Sequence, residues 1–103
     1  MTMKIDHVAI VVNNIHESVC WYKDRFNASA DYEDESWAML DIGGDKLALV
    51  LEGHHNSHVA ICVKSISEFP AGCEINQHRD GSWYFYDTDP SGNTIEWIKY
   101  DNQ

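Results

Sequence analysis

The chain has 103 residues, of which 44% are hydrophobic and 12% aromatic, and this composition predicts one small globular domain with a sizeable core. Its formal net charge of -10 argues against nucleic acid or an anionic membrane as a partner, and no apolar run reaches the roughly 20 residues of a membrane span. Three cysteines without CxxC spacing argue against a disulfide framework, and the N-terminus shows no signal-peptide pattern, so we expect a cytoplasmic protein.

The first predicted elements are a strand and a helix. Residues 6–12, "DHVAIVV", are rich in β-branched side chains, as is typical of a strand buried on both faces. Residues 14–27 predict an amphipathic helix, and Asn14 and Glu17 fit the N-cap and N3 positions of a capping box. The apolar stripe of this helix consists of Ile15, Val19, Tyr22 and Phe26. Three further strands are predicted over residues 29–34, 36–42 and 46–52.

The second half of the chain repeats the first. Residues 57–68, "SHVAICVKSISE", align without a gap on residues 6–17, "DHVAIVVNNIHE", and this alignment pairs His58 with His7. Because one element of the repeat is a strand and the next a capped helix start, we expect both halves to share one local structure.

The rest of the second half follows the same plan with a shorter helix. Ser65 takes the capping position, and Pro70 with Gly72 should end the helix within about two turns. Strands are predicted over residues 73–78, 82–87 and 94–100. Each half is therefore βαβββ, with modules of about residues 1–53 and 54–103 in a single domain. We expect an α+β fold in which the modules pair about a pseudo-two-fold axis, with a curved, cup-shaped mixed sheet inside and the helices outside.

Three side chains do not suit the strands that carry them. His7 and His58 lie among aliphatic residues at equivalent positions of the repeat, and Glu96 lies between Ile95 and Trp97 in the last strand. Burying a carboxylate is costly unless it is paired or binds a metal. Two imidazoles and a carboxylate from three strands predict either a zinc site with an open position or the facial triad that holds ferrous iron.

Each of these residues also has a structural explanation. A histidine in an apolar strand is often a core residue with satisfied hydrogen bonds, and the repeat could preserve it for structural reasons. Glu96 could form a salt bridge with Lys99 or cap a strand edge. His78, in "HRDGSW", could line the mouth of a site or lie on the surface of a turn.

The chain resembles the vicinal oxygen chelate superfamily over essentially its full length. This superfamily includes glyoxalase I, methylmalonyl-CoA epimerase, fosfomycin-resistance proteins, extradiol dioxygenases and bleomycin-resistance proteins. The resemblance rests on three stretches: "IDHVAIVVNNIHESVCWYKDRF" (5–26), "SHVAICV" (57–63) and "DGSWYFYDTDPSGNTIEWIKY" (80–100).

The resemblance implies a metal site, since the metal-dependent members bind their ion through residues that correspond to His7, His58 and Glu96. The ion would be a divalent metal such as Zn, Mn, Ni or Fe(II). The resemblance also implies a homodimer, either with two complete sites or with halves exchanged between chains.

The fourth ligand of many members is missing. Aligning the turns before the last strand of each half places Leu49 opposite Glu96, and leucine cannot bind a metal. Glu52 has the opposite strand parity to Leu49, so we expect it at the rim of the site.

Two functions are compatible with these residues. The first is a metalloenzyme that chelates neighbouring oxygens of a small substrate, with the reaction open among isomerase, lyase, thiol transferase and dioxygenase types and no general base evident. Arg79, Tyr84 and Tyr86 would contact the substrate, although outward-facing strand aromatics are an equal interpretation. The second is a non-catalytic protein of the bleomycin-resistance type, which sequesters a cationic or aromatic compound in an acidic, tryptophan-lined groove.

Overall fold

A computed structural model describes residues 3–100 of the chain. They form two compact units: residues 7–57, which we call the N-terminal unit, and residues 58–100 together with residues 3–6, which we call the C-terminal unit. Each unit contains a mixed β-sheet, and the N-terminal unit also contains an α-helix. The predicted α+β class is therefore confirmed.

The N-terminal unit follows the predicted βαβββ plan. Its elements are β1 (Lys4–Val12), α1 (Ile15–Phe26), β2 (Ser29–Glu33), β3 (Trp37–Ile42) and β4 (Asp45–Leu51), and residues 4–6 of β1 belong to the other unit. The strand order is β2-β3-β4-β1, in which β4 pairs parallel to β1 and the other neighbours are antiparallel.

The C-terminal unit has the same strand arrangement with smaller connecting elements. It contains β5 (His58–Cys62), a 3₁₀ turn (Ile66–Glu68), β6 (Asn76–Gln77), β7 (Trp83–Thr88) and β8 (Thr94–Lys99). Its strand order is β5-β8-β7-β6, with β8 parallel to β5 and the other pairs antiparallel.

Helix α1 begins and ends where the sequence predicts. The side chain of Asn14 accepts a hydrogen bond from the Glu17 amide at 2.9 Å, and Asn27 ends the helix in the left-handed conformation at φ 54°. The buried stripe of α1 packs on β3 and β4, and this core contains Ile15, Val19, Ala28, Ala38, Leu40 and Leu49. The helix thus covers one face of the sheet in its unit.

The second predicted helix ends within two turns, as the sequence predicts, and is a 3₁₀ turn instead of an α-helix. Ser65 caps it as predicted, but only Ile66–Glu68 form a 3₁₀ turn. Pro70 restricts the preceding residue, and Phe69 is extended at φ -66° and ψ 148°. Phe69 is buried and packs its ring against Trp97, so one aromatic residue partly replaces the missing helix.

Strand β2 is irregular and strand β6 is short. The register of β2 with β3 shifts between Ala30 and Tyr32, and β6 has two residues where a strand over 73–78 was predicted. Among residues 3–100, no helix combines the length and apolar character required to span a membrane.

Candidate functional site

The register of the C-terminal sheet brings polar side chains onto one face. Ala60 of β5 and Tyr86 of β7 both lie opposite Glu96 of β8. Paired residues on neighbouring strands point to the same side, and side chains two residues apart share a face. His58 and Tyr84 therefore share this side, which we call the histidine face. Its apolar part is buried and consists of Ala60, Cys62 and Ile98.

Glu96 is the centre of the histidine face. It is 3% exposed, and its two carboxylate oxygens lie beside different imidazoles. His58 Nε2 lies 3.4 Å from Oε1, and His78 Nε2 donates a hydrogen bond to Oε2 at 2.8 Å. A carboxylate at this depth requires such partners, because burial without them is strongly unfavourable.

Two tyrosines connect the two histidines. The His78 ring stacks on Tyr84 with 3.8 Å between centroids and 13° between planes. Tyr84 meets Tyr86 edge-on at 5.3 Å, and Tyr86 meets His58 edge-on at 5.8 Å. With Glu96, these side chains form a closed chain of contacts, which we call the five-residue ring.

Tyr86 places a hydroxyl group on this face that can donate a hydrogen bond. Burial raises the pKa of its hydroxyl to about 12, with further contributions from the negative Glu96 and from Tyr84. The hydroxyl therefore keeps its proton at neutral pH. Since Tyr86 is also 41% exposed, it is accessible to a small molecule at the surface.

His7 lies on β1, in the N-terminal unit. The neighbouring Ile10 and Val12 pack into the core beneath α1, whereas Ala9 belongs to a separate cluster. His7 has the same strand parity as Ala9, so it lies on the face of β1 away from α1. The preceding residue, Asp6, belongs to the C-terminal unit, where it accepts a hydrogen bond from the Tyr100 hydroxyl at 2.6 Å.

The counterpart of Glu96 in the N-terminal unit is Ala48, and the predicted alignment with Leu49 is wrong by one residue. The repeat pairs Ala9 with Ala60; Ala9 lies opposite Ala48, and Ala60 lies opposite Glu96. Leu49 points to the other face, where it is fully buried beneath α1.

The remaining predicted residues occupy different environments. Tyr84 and Tyr86 lie on the histidine face, and Arg79 lies in an exposed turn between β6 and β7. Glu52 follows the end of β4 and is exposed.

His78 is the residue whose role the sequence left undecided. It precedes a turn in which Asp80 accepts hydrogen bonds from the amide and hydroxyl of Ser82. Only the pairing of β7 with β8 brings that turn next to Glu96. The available sequence signal was a histidine immediately before a tight turn that leads into the strand of Tyr84 and Tyr86.

Comparisons with known proteins agree with this architecture. The family model of the Glyoxalase/Bleomycin resistance protein/Dioxygenase superfamily matches residues 4–62. No curated protein matches the chain.

Three solved structures illustrate the structural likeness. A hypothetical protein from Bacillus halodurans C-125 has a TM-score of 0.77 and 20% identity, covering 100% of this chain and 98% of that chain. Methylmalonyl-CoA epimerase from Mycobacterium tuberculosis has a TM-score of 0.74 and 15% identity, covering 93% and 87%. A glyoxalase/bleomycin resistance protein/dioxygenase superfamily member from Vibrio splendidus 12B01 has a TM-score of 0.70 and 14% identity, covering 95% and 99%. At these identities the likeness concerns the fold.

Proposed function

Because the chain belongs to the Glyoxalase/Bleomycin resistance protein/Dioxygenase superfamily, we propose that it is a metal-dependent enzyme acting on a small oxygenated substrate. The proposed metal ligands are His7, His58 and Glu96. The observation that carries the proposal is the buried carboxylate of Glu96, which lies between two imidazoles on a face that also exposes Tyr86.

The donor set fits a divalent transition metal. Two imidazole nitrogens and one carboxylate oxygen suit Zn, Mn, Ni or Fe(II), and fewer than four protein ligands leave coordination positions for a substrate. Glu96 and the side chain of His58, which is 7% exposed, are already largely removed from water. A divalent cation would compensate for burying the charge of Glu96 more completely than the imidazole contacts alone.

The metal would act as a Lewis acid that polarises neighbouring oxygens of the substrate. The chain's own side chains would bind and orient that substrate. Tyr86, whose hydroxyl remains protonated, would donate a hydrogen bond to a substrate oxygen, and Tyr84 would offer an aromatic surface beside it. Arg79 would recognise a carboxylate or phosphonate through its guanidinium group.

These groups support one substrate class. An anionic small molecule with two neighbouring oxygens matches a metal, a phenol donor and a guanidinium. The solved structure of the Mycobacterium tuberculosis relative carries the name methylmalonyl-CoA epimerase, and that name supports an isomerase reaction as one candidate among the isomerase, lyase, transferase and dioxygenase types.

Metal analysis tests the proposal. Purified protein should carry about one divalent ion per chain, and His58→Ala and Glu96→Gln should each reduce the bound metal to background, because two remaining ligands bind far more weakly. Elemental analysis measures the content, and the thermal shift on adding Zn, Mn, Ni or Fe(II) measures the affinity.

Two variants provide matched controls. Glu52→Gln makes the same chemical change at an exposed carboxylate, and His54→Ala removes an exposed histidine from the turn after β4. Both should keep the wild-type metal content. Metal-free wild-type protein without any thermal shift would refute the enzyme proposal, and a large loss of metal in Glu52→Gln would refute the ligand assignment.

A non-catalytic binding protein is the second candidate. A groove of the N-terminal unit is lined by three consecutive acidic residues, Glu33, Asp34 and Glu35, and the Tyr32 and Trp37 rings stack nearby at 4.5 Å. An acidic surface with stacked aromatics suits a cationic aromatic compound. Calorimetry with such a compound, in the presence and absence of metal, separates this function from the first.

We also propose that the protein is a homodimer. Ile5 and Val11 are 61% and 37% exposed, and strand parity places them with His7 on the face of β1 away from α1. Covering such apolar area contributes roughly 25 cal/mol per Å². Light scattering at micromolar concentration should give about twice the chain mass of 11.8 kDa, and a monomer would contradict the proposal.

A further inference from the structure

We infer that His78 is a positioning residue, which fixes the orientation of the Glu96 carboxylate on the histidine face. The last torsion of a glutamate side chain has a broad distribution, so a contact to one carboxylate oxygen helps to set the orientation of the carboxylate. His78 holds Oε2 at 2.8 Å, and Oε1 is then left on the side of His58 at 3.4 Å. Because a carboxylate only accepts hydrogen bonds, Nε2 of His78 carries the proton.

The His78 ring is itself held in place by stacking. Its contact with Tyr84 is nearly parallel and close, at 13° and 3.8 Å. A ring fixed in this way keeps its Nε2–H directed at Glu96 with less loss of side-chain entropy when the bond forms.

The backbone of His78 is also fixed. Its amide donates to the Ser82 carbonyl at 2.8 Å, and its carbonyl accepts from the Gly81 amide at 3.0 Å. Ser82 is 1% exposed, and both its amide and its hydroxyl donate to Asp80. A turn that is bonded on both sides of the histidine provides a rigid base for the side chain.

A role in filling the core does not explain this arrangement. The side chain of His78 is 35% exposed, so it contributes little apolar burial, yet its polar atom reaches a carboxylate with 3% exposure. The interaction is specific to the second oxygen of a proposed metal ligand. In metal sites, some residues do not bind the metal themselves but form hydrogen bonds that orient a ligand. Mutating such a residue typically weakens metal binding by roughly 10–100-fold.

Two substitutions separate the donor from the ring. His78→Phe keeps an aromatic ring on Tyr84 but removes the hydrogen bond to Glu96. His78→Gln restores an N–H donor without the ring. His16→Phe is the matched control, since His16 also lies 2.8 Å from a glutamate, Glu33, but on the exposed surface of the N-terminal unit.

Zn²⁺ affinity, measured by competition with a chelator, is the first measurement, and it rests on the proposed function. His78→Phe should weaken Zn²⁺ binding by roughly 10–100-fold, His78→Gln by clearly less, and His16→Phe should not change it. Melting temperatures of the metal-free proteins identify any variant that is merely destabilised. Equal Zn²⁺ affinity of wild type and His78→Phe would overturn the inference.

Crystal structures of the metal-free proteins are the second measurement, and they do not depend on metal binding. The Glu96 carboxylate should rotate in His78→Phe and keep its wild-type orientation in His78→Gln. An unchanged carboxylate in His78→Phe would overturn the inference. If wild type bound no metal but the carboxylate still rotated in His78→Phe, the proposed function would fail and the positioning role would stand.

Discussion

The two units have the same strand pairing but carry different residues at equivalent positions of it. In the N-terminal unit Ala9 pairs with Ala48, and in the C-terminal unit the repeat-equivalent Ala60 pairs with Glu96. The next strand continues the contrast, because Met39 lies opposite Ala48 and Tyr86 lies opposite Glu96. One backbone arrangement thus supports an apolar cluster in one unit and a polar ring in the other.

The elements that follow the first strand of each unit also differ, and the larger one is in the N-terminal unit. Helix α1 has 12 residues and buries Ile15 and Val19 on its sheet, whereas its counterpart is a 3₁₀ turn of three residues with no buried side chain of its own. The repeat therefore keeps the strand pairing in both units. The helix-covered core belongs to the N-terminal unit, and the polar side chains around Glu96 belong to the C-terminal unit.

The largest effect is expected at Leu49, which has no exposed surface beneath α1. Leu49→Glu should lower the free energy of unfolding by about 4 kcal/mol or more, a large part of the total of a small domain, because it buries an unpaired charge. Urea unfolding followed by circular dichroism measures the loss. The isosteric Leu49→Met should cost less than about 1.5 kcal/mol, and similar values for both variants would show that Leu49 is not buried.

Substitution of the neighbouring residue, Ala48, should change metal binding instead. If the protein binds Zn²⁺ as proposed and its two units use equivalent positions, Ala48→Glu should supply a fourth ligand and lower the Zn²⁺ dissociation constant by about tenfold, which is about 1.4 kcal/mol. Calorimetric titration with Zn²⁺ measures the change. Ala48→Gln is the control without the charge, and equal affinity of Ala48→Glu and wild type would break the equivalence of the units.

Removing an N-cap side chain should cost more stability at the longer helix α1 than at the 3₁₀ turn. Asn14→Ala should lower the free energy of unfolding by about 1 kcal/mol, because it removes the side-chain acceptor for the Glu17 amide. Ser65→Ala should cost less, since Ser65 caps a 3₁₀ turn of three residues through a longer bond to the Ser67 amide at 3.2 Å. Chemical denaturation of both variants provides the comparison, and a larger loss at Ser65 would contradict it.

The smallest effect concerns the turn before β8. Hydrogen bonds from Asn93, and then from Ser91 and Gly92, hold the pKa of Asp89 below its usual value of 3.8. The folded chain therefore binds this proton less readily than the unfolded chain, so the stabilisation is present above the usual value and is lost as pH falls through the lowered pKa. In an NMR titration, Asn93→Ala should raise the pKa of Asp89. An unchanged pKa would show that the Asn93 side chain is not the main cause.

The sequence predicts most of the strands and the first helix because their signals are local. Helix α1 was predicted within one residue at each end from its apolar spacing and its cap at Asn14, and β3, β4, β7 and β8 were each predicted within one residue at each end. The predicted length of β6 was too great. Residues 73–78 contain few residues that favour strands, and only two of them form β6.

Register and tertiary contact limit what the sequence can predict. The turns before β4 and β8 differ, and a slip of one residue moves a side chain to the opposite face, so aligning those turns gave Leu49 instead of Ala48. His78 gave no decisive signal, because its contact with Glu96 spans 18 residues and depends on how β7 pairs with β8.

The irregular β2 and the short β6 have a consequence for behaviour at high concentration. A regular edge strand offers free amides and carbonyls to another chain and favours aggregation. In β2 the register shift at Tyr32 interrupts that row, and Asp31 and Glu33 place charge beside it, while β6 is too short to be a template. Strand addition at β2 and β6 should therefore be slow, and self-association at these two strands should use their side chains instead of their backbone.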